Sequence, residues 1–132
     1  MSYTRTVRID MPHDEAVEAV REAFAEQGFG VITEIDMSAT LKAKIGAEIE
    51  PYVILGACNP QLAHRAVQVD NSIGALLPCN VVVRTEGGAT IVDALDPAVM
   101  SEMSDDPGLG EVAEEAGRRI DAALQALRDE AR

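Results

Sequence analysis

Two apolar runs in the middle of the chain constrain its fold more than any other feature. They are Val53-Ile54-Leu55 and Val81-Val82-Val83, and neither shows the polar alternation of a strand with one wet face. Both faces of these strands therefore need cover. Helices can cover one face. The other face needs an inserted segment, a bound ligand or a second copy of the chain. Burial within the chain is more common than a dimer or ligand surface.

Hydrophobic spacing places the other elements. Alternation and apolar runs predict strands at 3–9, 31–37, 52–57, 80–85 and 89–95. Because two glycines accept the positive φ angles of a tight turn, Gly87-Gly88 is expected to join the last two strands in a hairpin. In the second strand, Val31, Thr33 and Ile35 are expected to share one face.

Helices are predicted at 11–27, 38–45, 59–69 and 109–128. Ser38 is expected to cap the second helix, and Met100 and Met103 are expected in a loop, either as packing residues or as the lining of an apolar pocket. The order is strand, helix, four strands with two short helical insertions, then a long helix. Such an order favours a single α+β domain over residues 1–132, a two-layer fold whose antiparallel sheet has helices on one face.

Composition excludes several classes of partner. The formal net charge is -12, which repels nucleic acid and anionic lipid surfaces. No apolar run approaches the length that spans a bilayer, and the N-terminus lacks the hydrophobic segment of a signal peptide. We therefore expect a cytoplasmic protein with no nucleic-acid or membrane partner, and its two cysteines are expected to stay reduced.

Cys58 and Cys79 are the main candidates for chemistry. Cys58 precedes Asn59-Pro60, a predicted helix cap and first-turn proline, and a helix N-terminus favours a thiolate. A nucleophile, a redox sensor, a metal ligand and a small buried residue are all open readings for Cys58. If Cys79 lies on a neighbouring strand, the pair could form a disulfide, a soft-metal site or a haem ligand set.

His64 could reach back toward the start of the same helix, or simply face solvent. Asn80 is expected to bind the backbone where its strand begins. His13 is expected at the surface. Glu34 and Asp36 share one face of a strand; they could serve acid–base chemistry or bind a hard cation, or they could be solvated partners of nearby lysines such as Lys42.

The chain resembles a bacterial and archaeal family, domain of unknown function 302. The resemblance rests on GFGVITEID at Gly28–Asp36, ILGACNP at Ile54–Pro60 with Leu62-Ala63 after it, LPCNVVV at Leu77–Val83, and Asp96-Pro97. It implies a two-layer fold similar to the TATA-box-binding-protein group, in the order strand-helix-four strands-helix, and a homodimer. It implies no DNA binding, and the family has no established general activity.

These observations favour a homodimer that binds a small ligand around Cys58, Asn59, His64, Cys79 and Asn80, in a sensing or redox role. A metal or haem is one possible ligand, and an unidentified organic molecule is favoured over both. An enzyme with Cys58 as nucleophile and His64 as base is the alternative. A regulatory subunit that contacts a partner protein through its acidic face is the third class.

Overall fold

A computed structural model describes residues 2–130, which form a five-stranded antiparallel sheet with helices packed on one face. The strands are β1 (Thr4–Ile9), β2 (Gly30–Asp36), β3 (Tyr52–Cys58), β4 (Cys79–Glu86) and β5 (Ala89–Leu95). The helices are α1 (His13–Glu26), α2 (Met37–Ile45), α3 (Pro60–Val69), α4 (Ala98–Met103) and α5 (Leu109–Glu130), with a 3₁₀ helix at Asn71–Leu76. The predicted α+β class and the order of the predicted elements are confirmed, and α4 and the 3₁₀ helix are additional.

The strand order in the sheet is β1-β5-β4-β3-β2. Strands β2 to β5 follow one another as a meander, and β1 pairs with β5 at the far edge. Gly87 and Gly88 form the β4–β5 turn with φ angles of 56° and 85°, which L side chains rarely adopt. The predicted hairpin is therefore confirmed.

One face of the sheet forms the main core. Its buried side chains include Val7, Leu55, Val83 and Val92, which α1 and α5 cover with residues such as Phe24. Alternation explains the choice of face, because residues two apart on a strand point the same way.

The other face of the sheet carries no helical layer among the described residues. Across its middle run, in register, Thr6, Asp93, Val82, Ile54 and Ile35. The apolar members lie on the β2–β4 side, and Ile35 is 45% exposed. The central strands are thus apolar on both faces, as predicted, but the side chains on the open face are only partly covered within one chain.

A bulge in β2 reverses one predicted facing. Val31 pairs with Ala57 on the core side, whereas Thr33 pairs with Gly56 on the open side, so the two residues do not share a face. The register slips at Ile32, which is 63% exposed, because a bulge inserts one residue into the strand without a partner.

The local structure differs from the expectation at two places, the cap of α2 and the segment around Met100. Asp36, not Ser38, caps α2: its Oδ1 accepts from the Ala39 N–H at 2.9 Å and from the Ser38 hydroxyl at 2.8 Å. The segment around Met100 and Met103 is the helix α4, not a loop. Six residues are too few for a helical periodicity to show in the sequence.

Within residues 2–130, no helix is long and apolar enough to cross a membrane. The longest, α5, has 22 residues but keeps its buried side chains, such as Ile120 and Leu127, on one side only.

Candidate functional site

The sheet brings the two cysteines to the same end of neighbouring strands. Cys79 opens β4 directly opposite Ala57 of β3, and Cys58 is the next residue along β3. Both cysteines line one cavity between the strand ends and α3, α4 and α5. Both are free thiols. The predicted proximity of Cys58 and Cys79 follows from this register.

The cavity is small and almost entirely apolar. Its volume is about 20 Å³, enough for roughly one water molecule. Besides the cysteines, its lining includes Phe29, Leu62, Leu77, Met100, Val112 and Ala116. Met100 therefore lines an apolar pocket, which is one of the two predictions made from the sequence. Met103 is 72% exposed. A haem or a drug-sized molecule does not fit this volume unless the surrounding helices move.

Burial separates the two thiols chemically. Cys79 is 7% exposed, and this desolvation, with a smaller contribution from Cys58, raises the pKa of Cys79 to about 11. Cys79 is consequently a protonated thiol at neutral pH. Cys58 is half-buried, at the point where β3 leads into α3. A reagent in solution therefore reaches Cys58 first.

Asn59 caps α3 as predicted. Its side-chain Oδ1 accepts from the Leu62 N–H at 3.1 Å, and Pro60 occupies the first turn, where its missing N–H removes no helical bond. Asn59 is 6% exposed and also lines the cavity. Three of the predicted site residues, Cys58, Asn59 and Cys79, therefore lie together.

His64 and Asn80 lie outside this group. His64 is on the exposed side of α3, between the buried Leu62 and Ala66, and does not line the cavity. Asn80 follows Cys79 on β4, so its side chain points to the open face of the sheet, where it is exposed.

Glu34 and Asp36 have other partners than the proposed lysines. Glu34 forms an ion pair with Arg21 of α1, and Asp36 caps α2. The hydrogen bond from Ala39, followed by that from Ser38, lowers the pKa of Asp36. Within residues 2–130, no three His, Cys, Asp or Glu side chains are arranged to hold a metal ion.

Two hydrogen bonds to backbone carbonyls were not predicted from the sequence. His13 is half-buried, contrary to the expected surface position, and its Nε2–H donates to the Val83 carbonyl at 2.8 Å. Arg119 of α5 donates from Nη1 to the Gln27 carbonyl at 3.2 Å and from Nε to Glu115 at 3.1 Å. The two hydrogen bonds to the carbonyls of Val83 and Gln27 join distant parts of the chain, and no local sequence pattern indicates such contacts.

The fold and its paired thiols define a small α+β protein with a meander sheet, one helical layer and a cysteine-lined cavity at the sheet end. The chain belongs to the family described as Domain of unknown function DUF302, whose model matches residues 4–127. It is similar to an uncharacterized conserved DUF302 protein from Bacillus stearothermophilus, known from a crystal structure. That protein is 32% identical, the match covers 97% of this chain and 100% of that one, and the TM-score is 0.91. No curated protein matches the sequence.

Proposed function

We propose that this protein is a cytoplasmic thiol-based redox sensor in which Cys58 and Cys79 interconvert between a dithiol and a disulfide. The observation that carries the proposal is that both cysteines line one cavity large enough for roughly one water. Cys58 also contributes electrostatically to the raised pKa of Cys79, as expected for thiols that lie close to each other.

The strand register brings the Cα atoms of the two cysteines within range of a disulfide. Neighbouring strands lie about 4.8 Å apart and rise about 3.3 Å per residue, so residues one step from opposite have Cα atoms about 6 Å apart. Cys58 and Cys79 stand in this relation, since Ala57 is directly opposite Cys79. Disulfides bridge Cα atoms roughly 4.4 to 6.8 Å apart. Because side chains one step from opposite leave opposite faces of a regular sheet, Cys58, the last residue of β3, must turn toward Cys79 for the bond to form.

The difference in burial assigns an order to the chemistry. With a low-molecular-weight disulfide as oxidant, the Cys58 thiolate attacks one of its sulfur atoms, forms a mixed disulfide and releases one thiol. Cys79 then loses its proton and attacks the Cys58 sulfur, which forms the internal disulfide and releases the second thiol. Two protein thiols are oxidised and the small disulfide is reduced. Because the pKa of Cys79 is about 11, the second step is the slow one.

Oxidation with a low-molecular-weight disulfide, followed by mass spectrometry of trypsin-digested protein, tests the proposal. We expect a peptide that links Cys58 to Cys79 within one chain. The Cys79→Ser variant should accumulate the mixed disulfide at Cys58, and the Cys58→Ser variant should react much more slowly. A wild-type protein that stops at the mixed disulfide, or that reacts first at Cys79, would refute the proposal.

A small apolar ligand is the second candidate function, because the cavity lining is apolar apart from Cys58, Asn59 and Cys79. A metal or haem at the cysteines is less well supported, since His64 lies elsewhere and the volume is small. Met100→Ala should enlarge the cavity. Saturable binding of a small apolar probe such as xenon by this variant, and more weakly by the wild type, would support a ligand site.

We also propose that the protein is a homodimer formed through the open face of the sheet. The apolar half of that face, with Ile35, Ile54 and Val82, lies beside an ion pair between Arg84 and Asp93 at 2.7 Å. A second copy related by a two-fold axis would cover the apolar side chains and would bring its own Arg84 and Asp93 to the interface. Light scattering during size-exclusion chromatography should give twice the chain mass of 14.1 kDa, and Ile54→Lys should return it to 14.1 kDa. A wild-type mass of 14.1 kDa at all concentrations would exclude the dimer.

A further inference from the structure

The helix α2 gains little stability from burial in its own chain. None of its nine residues is buried by the described part of the chain; Met37 and Leu41 are half-buried, and Ile45 is 74% exposed. Asp36 and Gly46 cap the two ends, but caps satisfy hydrogen bonds and bury no apolar surface. Isolated helices shorter than roughly 12 residues are marginal in water, so a short helix depends on packing against another surface. Within one chain, α2 finds only part of such a surface.

Exposed apolar side chains concentrate around α2. In the described part of the chain seven large apolar side chains are exposed, and four of them are isoleucines of β2, of α2 and of the segment that follows α2. Ile35 lies at the edge of the apolar half of the open face and directly precedes Asp36, the cap of α2. Ile49 is 44% exposed and lines, with Lys42 and other residues of α2, a groove of about 360 Å³. Single exposed apolar residues are ordinary, but a group of them in one segment indicates an interaction surface.

The charges of this region are complementary to those of a second copy of the chain. Lys42 and Lys44 are the only lysines in the sequence, and both are exposed on α2. Glu48 is also exposed, and its Oε1 lies 3.9 Å from Nζ of Lys42 in the same chain. A surface that carries both signs of charge can be complementary to itself when a two-fold axis relates two copies. The lysines also offset locally the repulsion between two chains that each have a formal charge of -12.

We infer that α2 is a docking helix for a second copy of this chain. In the pair, each copy covers Ile35, Ile45 and Ile49 of the other, and the α2 lysines of each copy face Glu48 of the other. The inference rests on the proposed homodimer and extends it, because the apolar half of the open face continues through Ile35 into α2. The second copy supplies the packing that α2 lacks within one chain, so the helix is stable only in the dimer.

Dissociation constants from analytical ultracentrifugation test the contact. Ile45→Lys should weaken the dimer about tenfold or more, because it places a charge in the covered apolar surface. Met103→Lys is the matched control, since Met103 is 72% exposed on α4 and the substitution adds the same charge; it should change the dissociation constant less than about twofold. Thermal melts establish that both variants are folded. Equal effects of the two substitutions would overturn the inference.

Charge reversal tests the pairing of the lysines with Glu48. A double variant, Lys42→Glu with Lys44→Glu, gives the surface only negative charge, and Glu48→Lys gives it only positive charge there. Each protein alone should dimerise more weakly than the wild type, because like charges then meet across the interface. An equal mixture should form dimers with one copy of each, which native mass spectrometry identifies when one protein is isotope-labelled. A mixture that dimerises no better than the separate proteins would count against the inference.

Hydrogen exchange of the α2 amides measures how far the helix depends on the dimer. Dilution that dissociates the dimer should let α2 exchange at nearly the rate of an unfolded segment, while α1 stays protected by its packing in the core. Equal protection of α2 in monomer and dimer would contradict the inference.

The same measurements separate this inference from the proposed open-face dimer. A dimer that Ile54→Lys splits and Ile45→Lys leaves intact would overturn the docking role of α2 and keep the open-face contact. The reverse result would support α2 as the docking helix and exclude the open face. A wild type that is monomeric at all concentrations would exclude both.

Discussion

Alkaline pH should destabilise the reduced protein through Cys79. The unfolded thiol has a pKa of 9.0 and the folded thiol a pKa of about 11. Below pH 9 both states are protonated and the full stability is present. Between these values the unfolded state loses the proton first, so the free energy of unfolding falls as pH rises. At pH 10 Cys79 is ionised in about nine-tenths of unfolded molecules and in about one-tenth of folded ones. The free energy of unfolding is then lower by between about 1 and 2 kcal/mol. Above pH 11 the loss approaches about 3 kcal/mol.

Urea unfolding of reduced protein from pH 8 to pH 10 measures this loss. Other groups titrate in the same range, so the quantity to follow is the difference between the wild type and Cys79→Ala. Packing lost in the variant is a constant offset. The difference should shrink by the stated amount between pH 8 and pH 10. Parallel curves for the two proteins would show that Cys79 is not desolvated and would remove the basis for the slow second step of disulfide formation.

Three further outcomes are expected. Gly56→Ala should destabilise the fold by about 1 to 3 kcal/mol in urea unfolding, because its Cβ would lie 2.1 Å from Thr33 Oγ1, whereas Gly30→Ala, with open space around it, should change stability little. Asn59→Ala should cost about 1 kcal/mol of unfolding free energy and Asn59→Asp much less, since Asp also caps; equal losses would argue against the cap. Asp36→Asn should reduce the loss of stability as pH falls, because the lowered pKa of Asp36 makes its contribution present at neutral pH and absent in acid; an unchanged acid profile would contradict this.

The elements predicted correctly are those with a local signal that repeats or punctuates. The β4–β5 hairpin followed from Gly87-Gly88 between two apolar runs, and the start of α3 from Asn59-Pro60. The ends of α5 were close for the same reason, since its apolar stripe extends over many turns. The helix α4 and the 3₁₀ helix were missed because each is six residues long.

The candidate site was predicted in part, for a related reason. Cys58 and Cys79 are each attached to a recognisable strand end, so their meeting follows once the strands are neighbours. His64 was included on sequence proximity, but its position on the helix turns it outward. The hydrogen bond from Arg119 to the Gln27 carbonyl was missed because its two residues are far apart in the chain, and only the packing of α5 against α1 brings them together.

The pairing of β1 with β5 sets the order in which the sheet can be completed. During synthesis the chain's first strand emerges early, yet its only neighbour among the described strands, ending at Leu95, comes about ninety residues later. The intervening strands can pair each with the next across the connections 37–51, 59–78 and 87–88, whose closure costs less entropy than bringing β1 to β5. Arg5 of β1 must wait longer still, because its carbonyl partner Gly117 lies 112 residues away in α5. We therefore expect β1 to dock late in folding, and until it does the edge of β5 that pairs with β1 is open to pairing with other chains.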